Sequence, residues 1–497
     1  MRLLKQTFMS AIAIYAEHFF GLIASLLVAR NLTQSDYGLY SSTIWFAGII
    51  TLSINSGMLI NVTKFVSEFK LTSSNLMLAF LAYIRKIHLI RIFLVASAFS
   101  IYALLERESH LALQLLYLLI FSAILKADYS YRMSICKGVS RFDILAKVSL
   151  IVTPSYLVLI LFCVLYSPTL ENFILIYCTV CIIYWLTSLY FRTSIPIAIA
   201  DNKLISPHKK RIIIQILGAL IIIFAGALMF RQSQVFILQE YNFLAEAGYF
   251  NIGFVLSTAV MTLIPGVYKE VLLPKIMKAK HDGTSDQQII QSEKYILILS
   301  LLVAIPVFMY AENIVNLLYG ERYLPAAFAL QAIIIFQVVH SFKEGPNLSL
   351  ISHDQQHKIA SSNILLLVIG LSLSFFIVPK FGLKGALSIF GSLTVLHVLS
   401  FRLLARKYYK GTSFFFITRV VAAAIPSTAS ILLINIYFSG LLSVFIGSFV
   451  YVFSFITLLF IFKGYDKSLM YIIKEFSPSL PKPVRLYLKW GVNRFTD

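Results

Sequence analysis

Long apolar runs, separated by short charged segments, recur along the whole sequence. A helix needs roughly 20 mostly apolar residues to cross a hydrocarbon core of about 30 Å. The runs that meet this condition begin near Phe8, Leu39, Ile87, Leu111, Ile144, Phe173, Ile212, Gly248, Tyr295, Ala326, Ile359, Lys384, Phe414 and Leu441. The sequence therefore predicts an all-α polytopic membrane protein with about fourteen transmembrane helices. The fourth run is the least regular, and we expect Lys126 and Asp128 to end it.

The composition agrees with a chain that has lipid as its main solvent. Hydrophobic residues make up 59% of the sequence and charged residues only 13%, whereas soluble domains carry about 25% charged residues. The net charge of +20 lies in clusters between the apolar runs, which is typical of cytoplasmic loops and gives no reason to expect a nucleic-acid partner. The four cysteines lack the companion residues of a metal site, so we predict no metal and no cofactor.

The positive charges also orient the chain. Of the 42 Lys and Arg residues, only six fall on one side of the predicted membrane: Arg30, Arg107, Arg231, Arg322, Lys380 and Lys384. The richer side faces the cytoplasm, so the alternation predicts an even number of spans and two cytoplasmic termini. Arg2 and Lys5 precede the first run, which we interpret as a retained spanning helix and not as a cleavable signal peptide.

Two segments, 30–40 and 240–250, resemble each other at an offset of about 210 residues. Asp36 corresponds to Glu246 and Gly38 corresponds to Gly248. Six predicted helices separate the two segments, so the repeat is parallel. The prediction is a pair of six-helix lobes (residues 1–210 and 211–410), two C-terminal helices (411–462) and a basic cytoplasmic tail (463–497). The tail is either a short helix on the inner leaflet or a frayed end.

Four motifs carry a resemblance to a known family over most of the chain, to about Leu404. They are Ala29-Arg30-Asn31-Leu32 with Tyr37-Gly38, Ala247-Gly248-Tyr249, Leu317-Leu318-Tyr319-Gly320-Glu321-Arg322-Tyr323, and Val378-Pro379-Lys380-Phe381-Gly382-Leu383-Lys384-Gly385-Ala386. Through these four motifs the chain resembles the O-antigen and exopolysaccharide flippases of the multidrug/oligosaccharidyl-lipid/polysaccharide exporter superfamily.

The resemblance implies two lobes around a central cavity and transport by alternating access. It implies a location in the bacterial inner membrane, a polyprenyl-diphosphate-linked oligosaccharide as the substrate, and surrounding membrane lipids as partners. A polysaccharide polymerase and chain-length machinery are the further partners that it suggests. No enzymatic activity is expected.

Ionisable residues inside apolar runs are the candidate site residues, because each costs roughly 2.5–3.5 kcal/mol to insert. Glu17 and His18 lie near the middle of the first run and are our candidates for ion coupling, together with Asp128 and Glu344. Structural pairing with a neighbouring helix is the alternative for the first two. Cytoplasmic helix caps are the alternative for Asp128 and Glu344, and equally for their neighbours Lys126, His340 and Lys343.

Arg231 and Gln234 interrupt the seventh run and are the central candidates for substrate binding. A guanidinium suits a diphosphate because its planar fork donates two parallel hydrogen bonds. The alternative is that the helix ends at Phe230 and that Arg231 reaches the interface. Further substrate-binding candidates share a positive or titratable side chain near a predicted helix end; they are Arg30, Lys64, Lys126, His340 and Lys343.

Two other functions remain open at this point. An ion-coupled small-molecule exporter of the same superfamily would need acidic residues for cationic drugs, and the intramembrane candidates here are mainly basic. A membrane polysaccharide polymerase or ligase would be expected to carry a large outer loop, and the sequence predicts only short ones.

Overall fold

The computed structural model describes residues 17, 19–105, 112–191, 202–229, 233–261, 285–353 and 355–463. Within these ranges the regular structure is entirely helical. The α-helices are α1 (Phe19–Asn31), α2 (Gln34–Asn55), α3 (Met58–Thr72), α4 (Ser74–Leu105), α5 (Leu113–Gly138), α6 (Phe142–Tyr166), α7 (Leu170–Phe191), α8 (Asn202–Ile205), α9 (Lys209–Ala227), α10 (Ser233–Glu240), α11 (Leu244–Met261), α12 (Ser285–Met309), α13 (Ala311–Tyr319), α14 (Ala326–Ser341), α15 (Glu344–Ser352), α16 (Gln356–Ala405), α17 (Phe414–Tyr437) and α18 (Gly440–Ile461).

Twelve helical segments of the described chain are long and apolar enough to cross a membrane. One of them, α16, has 50 residues and covers the runs predicted near Ile359 and Lys384. It bends at Gly382, whose φ of 51° and ψ of −129° are not helical. The first predicted run is described only in part and ends in the shorter apolar helix α1. The chain is therefore an all-helical multi-pass membrane protein, and every predicted run has a helical counterpart.

The chain divides into two compact units. The first unit contains Met1–Asn251 and Asn363–Leu383, and the second contains Ile252–Ser362 and Lys384–Asp497. These boundaries differ from the lobe boundary near residue 210 that the repeat suggests, and the lobes stay a prediction. The predicted basic tail lies almost wholly outside the described residues, which end at 463.

The prediction that Lys126 and Asp128 end the fourth helix is wrong. Helix α5 continues ten residues beyond Asp128, to Gly138. The helix can continue because the carboxylate of Asp128 is buried among positively charged side chains of this helix and of α4. The charge of Asp128 is thus accommodated by its partners on α4 and α5.

The second span is broken in the middle. Helix α2 ends at Asn55, and α3 begins at Met58 after Gly57, whose φ is +73°. A Cβ at Gly57 would overlap the backbone of α9 at Ile216 and Leu220. A residue with a side chain would thus meet both an unfavourable φ and a clash, so glycine is required here.

The two segments of the sequence repeat cross each other at equivalent residues. A Cβ at Gly38 would overlap the carbonyl group of Leu244, and a Cβ at Gly248 would lie 3.3 Å from the backbone nitrogen of Gly38. Three residues further along each helix, the Nδ2 of Asn251 donates to the Oγ of Ser41 at 3.0 Å. Residues that touch their own repeat equivalents lie near a local two-fold axis, so this crossing supports the proposed repeat.

Replacing Gly38 with Ala is expected to destabilise this crossing by about 2 kcal/mol, because the backbone of α11 must move away from an added methyl group. Gly48→Ala is the matched control, since it lies on the same helix and its Cβ meets nothing within 4 Å. The measurement is the free energy of unfolding in mixed micelles. Equal stability of the two variants would contradict the close crossing.

Glu246 supports the bend in α16. Its carboxylate accepts a hydrogen bond from the backbone N–H of Leu383. A Cβ at Gly382 would collide with the same carboxylate. A carboxylate at the start of a helix satisfies a free N–H group and interacts favourably with the helix dipole, so the repeat acid Glu246 caps the second half of this helix.

Candidate functional site

A buried ion cluster surrounds Asp128 in the first unit. The Asp128 side chain is 8% exposed and pairs with both Arg85 of α4 and Arg132 of α5. The Nε of Arg132 donates to Oδ2 at 2.7 Å, and Nη1 of Arg85 donates to Oδ1. The indole Nε1 of Trp185 on α7 donates to Oδ2 at 2.9 Å. Three helices are therefore fastened to one carboxylate.

His88 of α4 also belongs to this ion cluster. Its side chain is fully buried, and its Nε2 lies 3.5 Å from Oδ1 of Asp128. The imidazole stacks on the ring of Tyr131 with 4.2 Å between centroids. The guanidinium of Arg85 lies over the same ring, 5.6 Å from its centroid. The stacking fixes both basic side chains against α5.

A second polar network starts at Glu17 and adjoins the ion cluster. The Oε1 of Glu17 accepts from the Oγ of Ser149 at 3.0 Å and from the hydroxyl of Tyr184 at 3.5 Å. The rings of Tyr184 and Tyr129 lie 4.8 Å apart. Because Tyr184 and Tyr129 are sequence neighbours of Trp185 and Asp128, the predicted coupling residues Glu17 and Asp128 belong to adjacent parts of one helical bundle.

Lys126 lies on α5, two residues before Asp128, and is near a set of tyrosines. Its ammonium group is 5.2 Å from the ring centroid of Tyr177. The hydroxyl groups of Tyr40 and Tyr156 are 3.3 Å apart and partly buried. The side chain of Lys126 is partly buried and forms no ion pair with a described acid, so its positive charge is available to an anionic ligand.

Lys64 belongs to a seam between α3 and α9. Its Nζ donates to Oε1 of Gln215 at 3.0 Å. The amide of Asn61 donates to the backbone carbonyl of Gln215 at 3.1 Å. One turn further along α3, Glu68 forms two parallel hydrogen bonds with Arg211, at 2.6 and 3.0 Å. The seam carries its charges at the end that the sequence predicts to be cytoplasmic.

The second unit has an ion cluster of its own around Glu293 of α12. The Glu293 side chain is 2% exposed and pairs with Arg402 near the end of α16. It also accepts from the hydroxyl of Tyr409 and from both the N–H and the hydroxyl of Thr412, the last two at 3.1 and 2.5 Å. Burial, and after it the carboxylate of Glu293, raises the pKa of the Tyr409 hydroxyl, which therefore stays protonated and able to donate.

His340, Lys343 and Glu344 lie at a helix break, as the sequence predicts. Helix α14 ends at Ser341 and α15 begins at Glu344. All three side chains are partly buried, and the His340 ring centroid lies 5.5 Å from that of His397. The second unit thus groups these candidates with one another, and their roles in binding or coupling stay predictions.

The other candidates are placed as follows. Arg30 is exposed at the end of α1. Gln234 is fully buried, and its amide donates to the Oγ of Ser374 at 3.1 Å. Arg231 and His18 lie outside the described residues. On either side of the undescribed residues 230–232, α9 ends at Ala227 and α10 begins at Ser233, and the role of Arg231 stays a prediction.

Sequence reasoning missed the partners of the buried acids. In the sequence, Arg85 and Arg402 belong only to the positive charge on the side predicted to be cytoplasmic, and no pattern singles out Glu293. The one available signal was the four-residue spacing of Asp128 and Arg132, which places them on one helical face.

The family of polysaccharide biosynthesis proteins matches the chain over residues 27–328. The chain belongs to this family. The match covers more than half of the sequence and includes α2 to α13, with both segments of the repeat. No curated protein sequence matches the chain.

Solved structures share the fold of this family member. The lipid II flippase MurJ, in an inward closed conformation, aligns with a TM-score of 0.74 and 12% identity over 91% of this chain and 98% of its own. A multidrug resistance MATE family transporter of the MOP superfamily, in an inward-facing conformation, aligns with a TM-score of 0.57 and 14% identity over 80% of this chain and 97% of its own. A MOP superfamily transporter from Pyrococcus furiosus aligns with a TM-score of 0.53 and 13% identity over 82% and 95%. At these identities the likeness establishes the fold.

Proposed function

We propose that the protein is a flippase that moves a polyprenyl-diphosphate-linked oligosaccharide from the cytoplasmic to the outer face of a bacterial plasma membrane. The polar head of such a lipid cannot cross about 30 Å of hydrocarbon unaided. A chain built almost entirely of membrane-spanning helices suits this task, because its interior can shield the head while the polyprenyl tail remains in lipid.

The observation that carries the proposal is the membership of a multi-pass chain in a polysaccharide biosynthesis family. Surface polysaccharides are assembled from lipid-linked precursors that must change sides of the membrane. The greater likeness to the chain described as a lipid II flippase, with a TM-score of 0.74 against 0.57 for the MATE family transporter, supports a lipid-linked substrate over a small drug.

The basic candidates are proposed to bind the diphosphate. Lys126, with its partly buried ammonium group, is the candidate best supported by its surroundings, and the neighbouring tyrosine rings and hydroxyl groups are suited to sugars. Arg30, Lys64 and Arg231 are the further proposed contacts. A phosphate binds most strongly to charged donors that have lost part of their water.

The seam between α3 and α9 is proposed as the cytoplasmic gate. Its charged pair is well exposed, with 46% of the Arg211 side chain and 36% of the Glu68 side chain accessible. Exposed pairs contribute only about 0–1 kcal/mol, so this ion pair adds little resistance to opening.

A reversible cross-link tests the gate. In the double variant Glu68→Cys/Arg211→Cys, oxidation is expected to stop export and reduction to restore it. The four native cysteines are buried, so the background is low. The single variants under the same oxidant are the controls. Full export by a quantitatively cross-linked protein would show that the seam stays closed during transport.

Glu17 is proposed to couple transport to an ion gradient. We expect Glu17→Gln to lower gradient-driven export severalfold at an unchanged amount of protein, because the amide retains hydrogen bonds to Ser149 and Tyr184 but loses the charge. Glu171→Gln, an exposed acid at the start of α7, is the matched control. Unchanged export by the Glu17 variant would show that this residue is a structural contact and does not couple transport to a gradient.

Deletion of the gene tests the proposed function in cells. The expected result is accumulation of a lipid-linked oligosaccharide on the cytoplasmic face, reversed by the intact chain. An ion-coupled small-molecule exporter, the alternative that the MATE likeness raises, would instead leave this lipid unchanged and increase sensitivity to exported compounds.

A further inference from the structure

The ion cluster around Asp128 has more positive than negative charge. Arg85 and Arg132 share the one carboxylate, and no other acid among the described residues pairs with either of them. The Nε and Nη2 donors of Arg85 have no acceptor in the described part of the chain. A partly buried group with one surplus positive charge and free donors is suited to an anion.

Arg85 is the member of the cluster that reaches the surface. Its side chain is 35% exposed, whereas that of Arg132 is only 7% exposed. Asp128 and the ring of Tyr131 hold the guanidinium in place. The anion would therefore meet an ordered donor, which loses little conformational freedom when it binds.

The helix that carries Arg85 continues as an apolar surface. Leu89 and Phe93 follow at four-residue intervals, which places them on the same face as Arg85, and they are 48% and 70% exposed. Ile90 and Leu94 flank them and are also exposed. Each interval advances about 6 Å along the helix. One guanidinium is thus followed by roughly 12 Å of uncovered apolar surface, which is the pattern of a lipid with an anionic head.

We propose that Arg85, Leu89 and Phe93 form a binding site for an anionic phospholipid of the inner leaflet. The phosphodiester accepts hydrogen bonds from Arg85, and one acyl chain lies along the two apolar residues. The surplus of one positive charge matches the single negative charge of a phosphodiester, whereas a diphosphate carries more. The charge pattern of the sequence predicts that α4 starts in the cytoplasm, which directs this end of the site to the anionic leaflet. The proposal does not depend on the transported substrate.

Native mass spectrometry of the intact protein tests the site. The protein is released from nanodiscs that contain phosphatidylglycerol and phosphatidylcholine, and the bound lipids are counted. Wild type is expected to retain one phosphatidylglycerol in preference to phosphatidylcholine. Arg85→Gln is expected to weaken this binding about tenfold, since it removes a charge-assisted hydrogen bond. Arg85→Lys should retain part of it.

Two further variants distinguish a loss of lipid binding from a folding defect. The double variant Leu89→Ala/Phe93→Ala changes only exposed side chains and should lower phosphatidylglycerol retention while leaving the elution profile unchanged. Arg141→Gln, at an exposed arginine, is the control and should behave as wild type. Unchanged retention in both test variants, or equal retention of the two phospholipids by wild type, would overturn the proposal. Displacement of the bound lipid by polyprenyl diphosphate at lower concentration would assign the site to that lipid instead.

Discussion

Asp128→Asn is expected to lower the free energy of unfolding by about 3–5 kcal/mol, because removal of one partner from a buried ion pair leaves the other partner uncompensated. Here two guanidinium groups lose their common carboxylate. Asparagine preserves the volume of the side chain, so the effect reports the charge and not a cavity. The measurement is unfolding in mixed micelles followed by tryptophan fluorescence, to which the neighbouring Trp185 contributes.

Asp143→Asn is the matched control for this prediction. Asp143 also pairs with an arginine, Arg141, but its side chain is 31% exposed. Exposed pairs contribute about 0–1 kcal/mol, so this variant should unfold almost as wild type does. A loss at Asp128 no larger than the loss at Asp143 would contradict the buried cluster.

Glu293→Gln is expected to lower the free energy of unfolding by about 3 kcal/mol, at the low end for a broken buried pair because the Arg402 side chain is partly exposed. Glutamine cannot neutralise the guanidinium, although it can still accept hydrogen bonds from Tyr409 and Thr412. The segment that Glu293 anchors, between α16 and α17, should loosen. Trypsin cleavage after Arg406, Lys407 or Lys410 should therefore be faster in the folded variant than in wild type.

Glu312→Gln is the matched control, because it removes a different acidic side chain from the second unit. Glu312 is exposed in the first turn of α13. It should change neither the unfolding free energy nor the rate of cleavage. If trypsin cleaves the Glu293 variant no faster than wild type, the carboxylate does not hold this segment in place.

The membrane-spanning helices were predictable because few backbone structures are stable in lipid. Every apolar run of sufficient length must satisfy its backbone hydrogen bonds internally, and a helix does so locally. The repeat at Gly38 and Gly248 was visible for a similar reason, since residues that cross closely must be small in both copies. Local sequence patterns therefore predicted most of the helices, but not the contact between Gly38 and Gly248.

The site residues were harder to predict because their partners are distant in sequence. Lys126 and Asp128 look like the end of a span as long as α5 is considered alone. Arg85 is 43 residues away from Asp128 and Trp185 is 57 residues away, and the charge is tolerated only because these side chains meet. Glu293 was hidden in the same way, since Arg402 is 109 residues away from it.

Transport by the purified protein tests the central claim most directly. The protein is reconstituted in liposomes with a polyprenyl-diphosphate-linked oligosaccharide, and an impermeant glycosidase outside reports how much of the head group is accessible. We predict that liposomes with the protein expose nearly all of the oligosaccharide, whereas liposomes without protein protect the inner half. Equal protection in both preparations, with the protein folded and inserted, would contradict the assignment as a flippase.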